Sequence, residues 1–134
     1  MTQRPREIAG SSGTVLVVDH DQSLRLLARR LLESAGYRVL DAGDGPGAEQ
    51  IATLYVGPIH VLLVEVDMST TDGGGLSDRL QSLHPELAVL VASGRPQREL
   101  VKKGLLDSRT PFVRKPFERR RLAAKVRDLL ARPR

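Results

Sequence analysis

Three nearly unbroken apolar runs constrain this chain more than any other feature. They are Thr14-Val15-Leu16-Val17-Val18, His60-Val61-Leu62-Leu63-Val64 and Leu87-Ala88-Val89-Leu90-Val91-Ala92. A strand with one wet face alternates apolar and polar residues. A continuous run is the pattern of a strand covered on both faces, which is the condition of a parallel sheet between helical layers. Two weaker runs, Tyr37-Arg38-Val39-Leu40 and Pro111-Phe112-Val113-Arg114, also have strand character.

Helical spacing fills the intervals. Leu24, Leu27, Ala28, Leu31, Leu32 and Ala35 recur along one face, with Asp21 or Ser23 placed to cap the start and Gly36 to end it. Ala48, Ile51, Ala52 and Tyr55 mark a second helix, and Leu76, Leu80 and Leu83 a third, followed by Pro85. Leu100, Val101, Leu105 and Leu106 suggest a short fourth, interrupted by Gly104. Leu122, Val126, Leu129 and Leu130 mark the last. Strand then helix, five times over, implies an α/β fold. The expected form is a flavodoxin-like (βα)5 doubly wound domain, a five-stranded parallel sheet with helices on both faces.

The expected domain spans 14–131. Residues 1–13 are polar and Gly/Ser-rich and read as a disordered lead-in, and 132–134 as a short C-terminal tail. A chain of 134 residues has room for one core. With aromatics at 3%, that core is built from Leu, Val, Ile and Ala. The absence of cysteine excludes disulfides and thiolate metal sites. No apolar run approaches membrane-spanning length, and the N-terminus lacks the apolar core of a secretory signal, so the cytoplasm is the expected location.

Ligands of open α/β sheets bind beyond the carboxyl ends of the strands. In the expected fold that rim collects Asp19, His20 and Asp21 after the first strand. Glu65 and Asp67 follow the third, Ser93-Gly94 the fourth, and Lys115-Pro116 the fifth. Acids, a hydroxyl and an ammonium converging on one edge are poorly explained by core packing.

At these residues the chain resembles the receiver domains of bacterial two-component response regulators, over about residues 14–131. Val15-Leu16-Val17-Val18-Asp19-His20-Asp21 is similar to that family's first strand and acidic pair. Val61-Leu62-Leu63-Val64-Glu65-Val66-Asp67-Met68-Ser69-Thr70-Thr71-Asp72-Gly73 resembles its phosphoacceptor strand and loop. Val89-Leu90-Val91-Ala92-Ser93-Gly94 resembles its switch strand, and Phe112-Val113-Arg114-Lys115-Pro116-Phe117 its most recognisable signature. The resemblance implies a phosphoryl pocket of Asp19, His20, Asp21, Ser93 and Lys115 around Glu65 at the phosphoacceptor position. It implies Mg²⁺ on Asp19 and His20 beside Glu65, with the backbone carbonyl of Asp67 as a further ligand. Ser93 and Phe112 take the switch positions, and the Lys115-Pro116 bond is expected to be cis.

Two departures fall on the chemistry. The family's phosphoacceptor is aspartate, and Glu65 adds a methylene that displaces the carboxylate by about 1.5 Å. In-line phosphoryl transfer depends on alignment, so transfer is expected to fail. His20 stands where the family has an acid. Mg²⁺ prefers hard oxygen ligands and imidazole suits softer metals, so Mg²⁺ is expected to bind weakly or not at all. Ser69 replaces a usual proline, and Gly73-Gly74-Gly75 lacks the lysine and spacing of a phosphate-binding loop.

The expected function is therefore that of an atypical, non-enzymatic receiver module. It acts through phosphorylation-independent protein contacts, with Glu65 either mimicking the phosphorylated state by reaching Ser93 and Lys115 or marking a pocket out of use. Residual phosphorylation, for instance on Asp67 if the strand continues past Glu65, is an alternative. The expected partner is a histidine kinase, phosphotransfer or output protein. It would meet the face formed by the fourth and last helices and the fifth strand, where Arg119, Arg120, Arg121, Lys125 and Arg127 favour an acidic surface. A homodimer could use the same face. Net charge is +5, but no DNA-binding motif surrounds the basic residues, so nucleic acid is not the expected ligand. Asp19-His20-Asp21-Gln22-Ser23 also fits the opening of haloacid-dehalogenase-type phosphatases, with Asp19 as nucleophile and Asp21 as general acid. That family's later acidic pair is not found.

Overall fold

The computed structural model describes residues 13–70 and 75–132. The expected lead-in through Ser12, Thr71 and Asp72 of the expected phosphoacceptor loop with the first two residues of the triple glycine, and the last two residues of the chain lie outside them. Five strands, β1 (Thr14–Val18), β2 (Arg38–Ala42), β3 (Val61–Glu65), β4 (Ala88–Ser93) and β5 (Phe112–Arg114), form one sheet in the order β2-β1-β3-β4-β5. Every neighbouring pair is parallel. This is the doubly wound arrangement expected from the alternation. β1 and the first four residues of β3 are buried throughout, as continuous apolar runs at the centre of a sheet must be.

The helices are α1 (Gln22–Ser34), α2 (Gly45–Leu54), α3 (Val66–Thr70), α4 (Leu76–Leu83), α5 (Gln97–Lys102) and α6 (Arg119–Ala131). α3 is a correction to the five-helix reading: the chain turns helical immediately after Glu65 instead of continuing as strand or loop. Asp67 therefore leaves the strand direction, and the premise that it shares a strand face with Glu65 fails.

Local chemistry explains the boundaries. Asp21 caps α1, its Oδ1 accepting the Leu24 N–H at 3.1 Å. Gly36 follows α1 at φ 102 and lets the chain turn into β2. Asp44 caps α2 by accepting the Gly47 N–H at 2.7 Å. α5 stops at Lys102, short of the expected Leu105 and Leu106. Gly104, at φ 76, takes the left-handed conformation that ends it, and the Leu105 N–H returns to the Leu100 carbonyl at 2.9 Å.

Apolar side chains form one cluster on each face of the sheet. One packs Leu16, Leu62 and Val64 against Ala48, Ala52, Leu76, Leu80 and Leu100 of α2, α4 and α5. The other packs Val15, Val17, Leu63 and Leu90 against Ala28 and Leu32 of α1 and Leu122, Val126 and Leu129 of α6. Successive β1 residues point to opposite clusters, as strand geometry requires. With both faces covered, the C-terminal edge is where polar groups collect.

Candidate functional site

β1, β3, β4 and the turn after β5 deliver Asp19, Glu65, Ser93 and Lys115 to the same edge. Asp19 and Ser93 are buried, Glu65 and Lys115 are half-buried, and His20, Asp21 and Asp67 are exposed. Phe112, the expected aromatic switch residue, is buried in the cluster beneath α4 and α5. The Lys115–Pro116 peptide bond is cis, as the resemblance implied.

The centre of the site is an ion pair. Lys115 Nζ lies 2.7 Å from Asp19 Oδ2, with the two side chains 12% and 7% exposed. The other Asp19 oxygen accepts the Asp21 N–H at 2.9 Å. The Asp19 carbonyl accepts from Arg25 at 2.8 Å, and Arg25 is itself held by Asp41 at 2.9 Å. Asp19 is thus fixed from β1, α1, β2 and the turn after β5. Asp21, the general acid of the phosphatase reading, caps α1 through its Oδ1.

Glu65 ends β3 and turns back on its own chain. Its Oε1 accepts the Asp67 N–H at 3.2 Å. Among the described residues it bonds neither Ser93 nor Lys115, so the two contacts on which the mimic reading depends are not made in this structure. Ser93 Oγ accepts the Arg95 N–H at 3.0 Å instead, and Lys115 goes to Asp19. The Glu65 carboxyl is held above the usual carboxylate range. Burial is the main cause, Asp67 adds to it, Lys115 opposes it and Asp19 adds a further increment.

Sequence reasoning missed Arg95. Its guanidinium stands 3.5 Å from Asp67 Oδ1 at the mouth of the site. Its position two residues after Ser93, on a rim loop, was the signal available. The arginines of α6 also divide differently from expectation. Arg119, Arg120 and Arg127 line a groove with Ala123, Ala124 and Ala35 beside the end of α1, whereas Arg121 approaches Glu118 at 3.7 Å.

Residues 15–127 match the model of the response regulator receiver domain. The chain belongs to the receiver domain family. It is 31% identical over 118 residues to the transcriptional regulatory protein CpxR of Escherichia coli (strain K12), which covers 88% of this chain and 49% of that protein. Its identity to the sensor kinase CckA of Brucella abortus (strain 2308) is 29% over 128 residues, 96% of this chain and 13% of the kinase. The chain therefore spans half or less of these relatives. Among solved structures, the receiver domain of the hybrid histidine kinase CckA superposes with a TM-score of 0.70 at 31% identity, covering 88% of this chain and 99% of that one. The chemotaxis response regulator CheY4 of Vibrio cholerae gives 0.70 at 25% identity, covering 88% and 98%. Receiver domains are in general non-enzymatic signalling modules of two-component systems.

Receiver domains in general bind Mg²⁺. Both Asp19 oxygens are engaged, one by an ammonium. His20 offers an imidazole, and Glu65 Oε1 accepts the Asp67 N–H. Among the described residues no group of three or more His, Asp or Glu is arranged to hold a metal.

Proposed function

We propose that this receiver domain signals through protein contacts that do not depend on phosphoryl transfer to Glu65. The observation that carries the reading is the Asp19–Lys115 ion pair beside a glutamate turned onto its own α3 backbone. The residue at the acceptor position bonds the Asp67 N–H and neither Ser93 nor Lys115, the groups that would hold a phosphoryl oxygen. The added methylene and His20 act in the same direction, one on nucleophile alignment and the other on cation affinity. A cytoplasmic location and a partner drawn from two-component signalling, whether kinase, phosphotransfer or output protein, belong to this proposal. No helix among the described residues is long and apolar enough to cross a membrane.

Fluoroberyllate with Mg²⁺ imitates a bound phosphoryl group and tests the reading by amide NMR. In the natural chain the signals of Ser93, Lys115 and Phe112 should stay in place at millimolar Mg²⁺. In the double variant Glu65→Asp, His20→Asp they should shift. Saturable shifts in the natural chain would refute the proposal.

A further inference from the structure

The groove beside α1 carries Arg119, Arg120 and Arg127 of the expected docking face toward the end of α1. Its floor is Ala35, just past the end of α1, with Ala123 and Ala124 of α6. Its walls are Arg119, Arg120 and Arg127, and its volume is about 470 Å³. Ala35, Ala123 and Ala124 are half-buried and the three arginines exposed. None of the three arginines forms an ion pair with a described residue, in contrast to Arg121, Arg25 and Arg29, which do. Three cations around an apolar floor, none of them in an ion pair with a described residue, form a surface whose complement is acidic.

The spacing specifies that complement further. Arg120 and Arg127 are seven residues apart on one helix, which is about 10.5 Å at 1.5 Å per residue. A second helix laid along the groove places carboxylates at the same interval when they stand at positions i and i+7. The alanines leave no long side chain between the walls, so a helix backbone can approach closely. A nucleic-acid backbone matches the charge but offers nothing apolar for the alanine floor. We infer that the α1–α6 groove docks an acidic helix of a protein partner, with carboxylates on Arg119, Arg120 and Arg127 and a small apolar stripe on Ala35, Ala123 and Ala124. This rests on the proposed signalling through protein contacts and names a surface for it.

The test uses a fluorescein-labelled helical peptide with glutamates at i and i+7 separated by alanines, read by fluorescence anisotropy against the full chain. The expected result is saturable binding, weakened about tenfold or more by Arg120→Glu, Arg127→Glu, since two attractive rim charges become repulsive. Ala124→Gln fills the floor, keeps every charge, and should also weaken binding. Lys102→Glu, on α5, should leave it unchanged. Circular dichroism of each variant confirms that it is folded. No binding, equal loss in Lys102→Glu, or no loss in Ala124→Gln would overturn the inference. Tighter binding to a DNA duplex of equal charge would overturn it in favour of nucleic acid. Because the probe never touches the Glu65 pocket, failure here is distinguishable from failure of the phosphorylation-independent reading, which fluoroberyllate reports.

Discussion

Lys115 and Asp19 lie 96 residues apart in the chain and 2.7 Å apart in the molecule. Removing one partner of a buried pair leaves an uncompensated charge, which is the costly way to break it. Lys115→Met should therefore destabilise the fold by about 3 kcal/mol in urea denaturation, more than loss of an exposed pair such as Arg109–Asp107. Glu65 has the opposite sign. Its folded-state pKa is raised, so the native state binds the proton more tightly than the unfolded chain does. That preference favours the native state at low pH and is lost as pH rises from the ordinary value of 4.5 through the folded value. Glu65→Gln should then melt higher than the natural chain at pH 7, and the gap should close below pH 4.5. A constant gap across pH would remove burial as the cause. The sequence showed which residues share the edge but not their pairing. Lys115 has four acids on the rim, and the choice of Asp19 depends on where a single ammonium ends, which spacing does not encode. The direction of Glu65 was hidden for the same reason, since it is settled by the backbone N–H that α3 supplies.

At the scale of elements, caps and glycines set boundaries that propensity alone blurs. Asp44→Ala removes the acceptor of the Gly47 N–H and should cost about 1 kcal/mol, read as an equal loss of unfolding free energy with no change in the α6 groove. The strands and the long helices were legible because burial on both faces, or on one stripe, leaves a period that can be counted. α3 was not, because five residues are too few to show a helical period. α5 was overextended because Leu105 and Leu106 continue an apolar spacing beyond Gly104, although the left-handed turn at that glycine sends them to the core by another path. The basic residues of α6 illustrate a further limit. Composition counted them together, but a helix distributes consecutive arginines around its circumference, so Arg119 and Arg120 face the α1 groove while Arg121 meets Glu118.

For the whole molecule, the doubly wound sheet accounts for both the strength of the resemblance and its limits. The architecture needs only buried strands, amphipathic helices and right-handed crossovers, and all three survive changes at the rim. A receiver fold can thus persist while residues at its rim, such as Glu65 and His20, depart from the family's pattern. The sharpest division between these two layers is chemical. The natural chain, incubated with acetyl phosphate and Mg²⁺ and weighed intact, should gain no phosphoryl adduct, whereas the double variant Glu65→Asp, His20→Asp should gain one. A phosphoryl group on the natural chain at Glu65 would contradict the account at its centre.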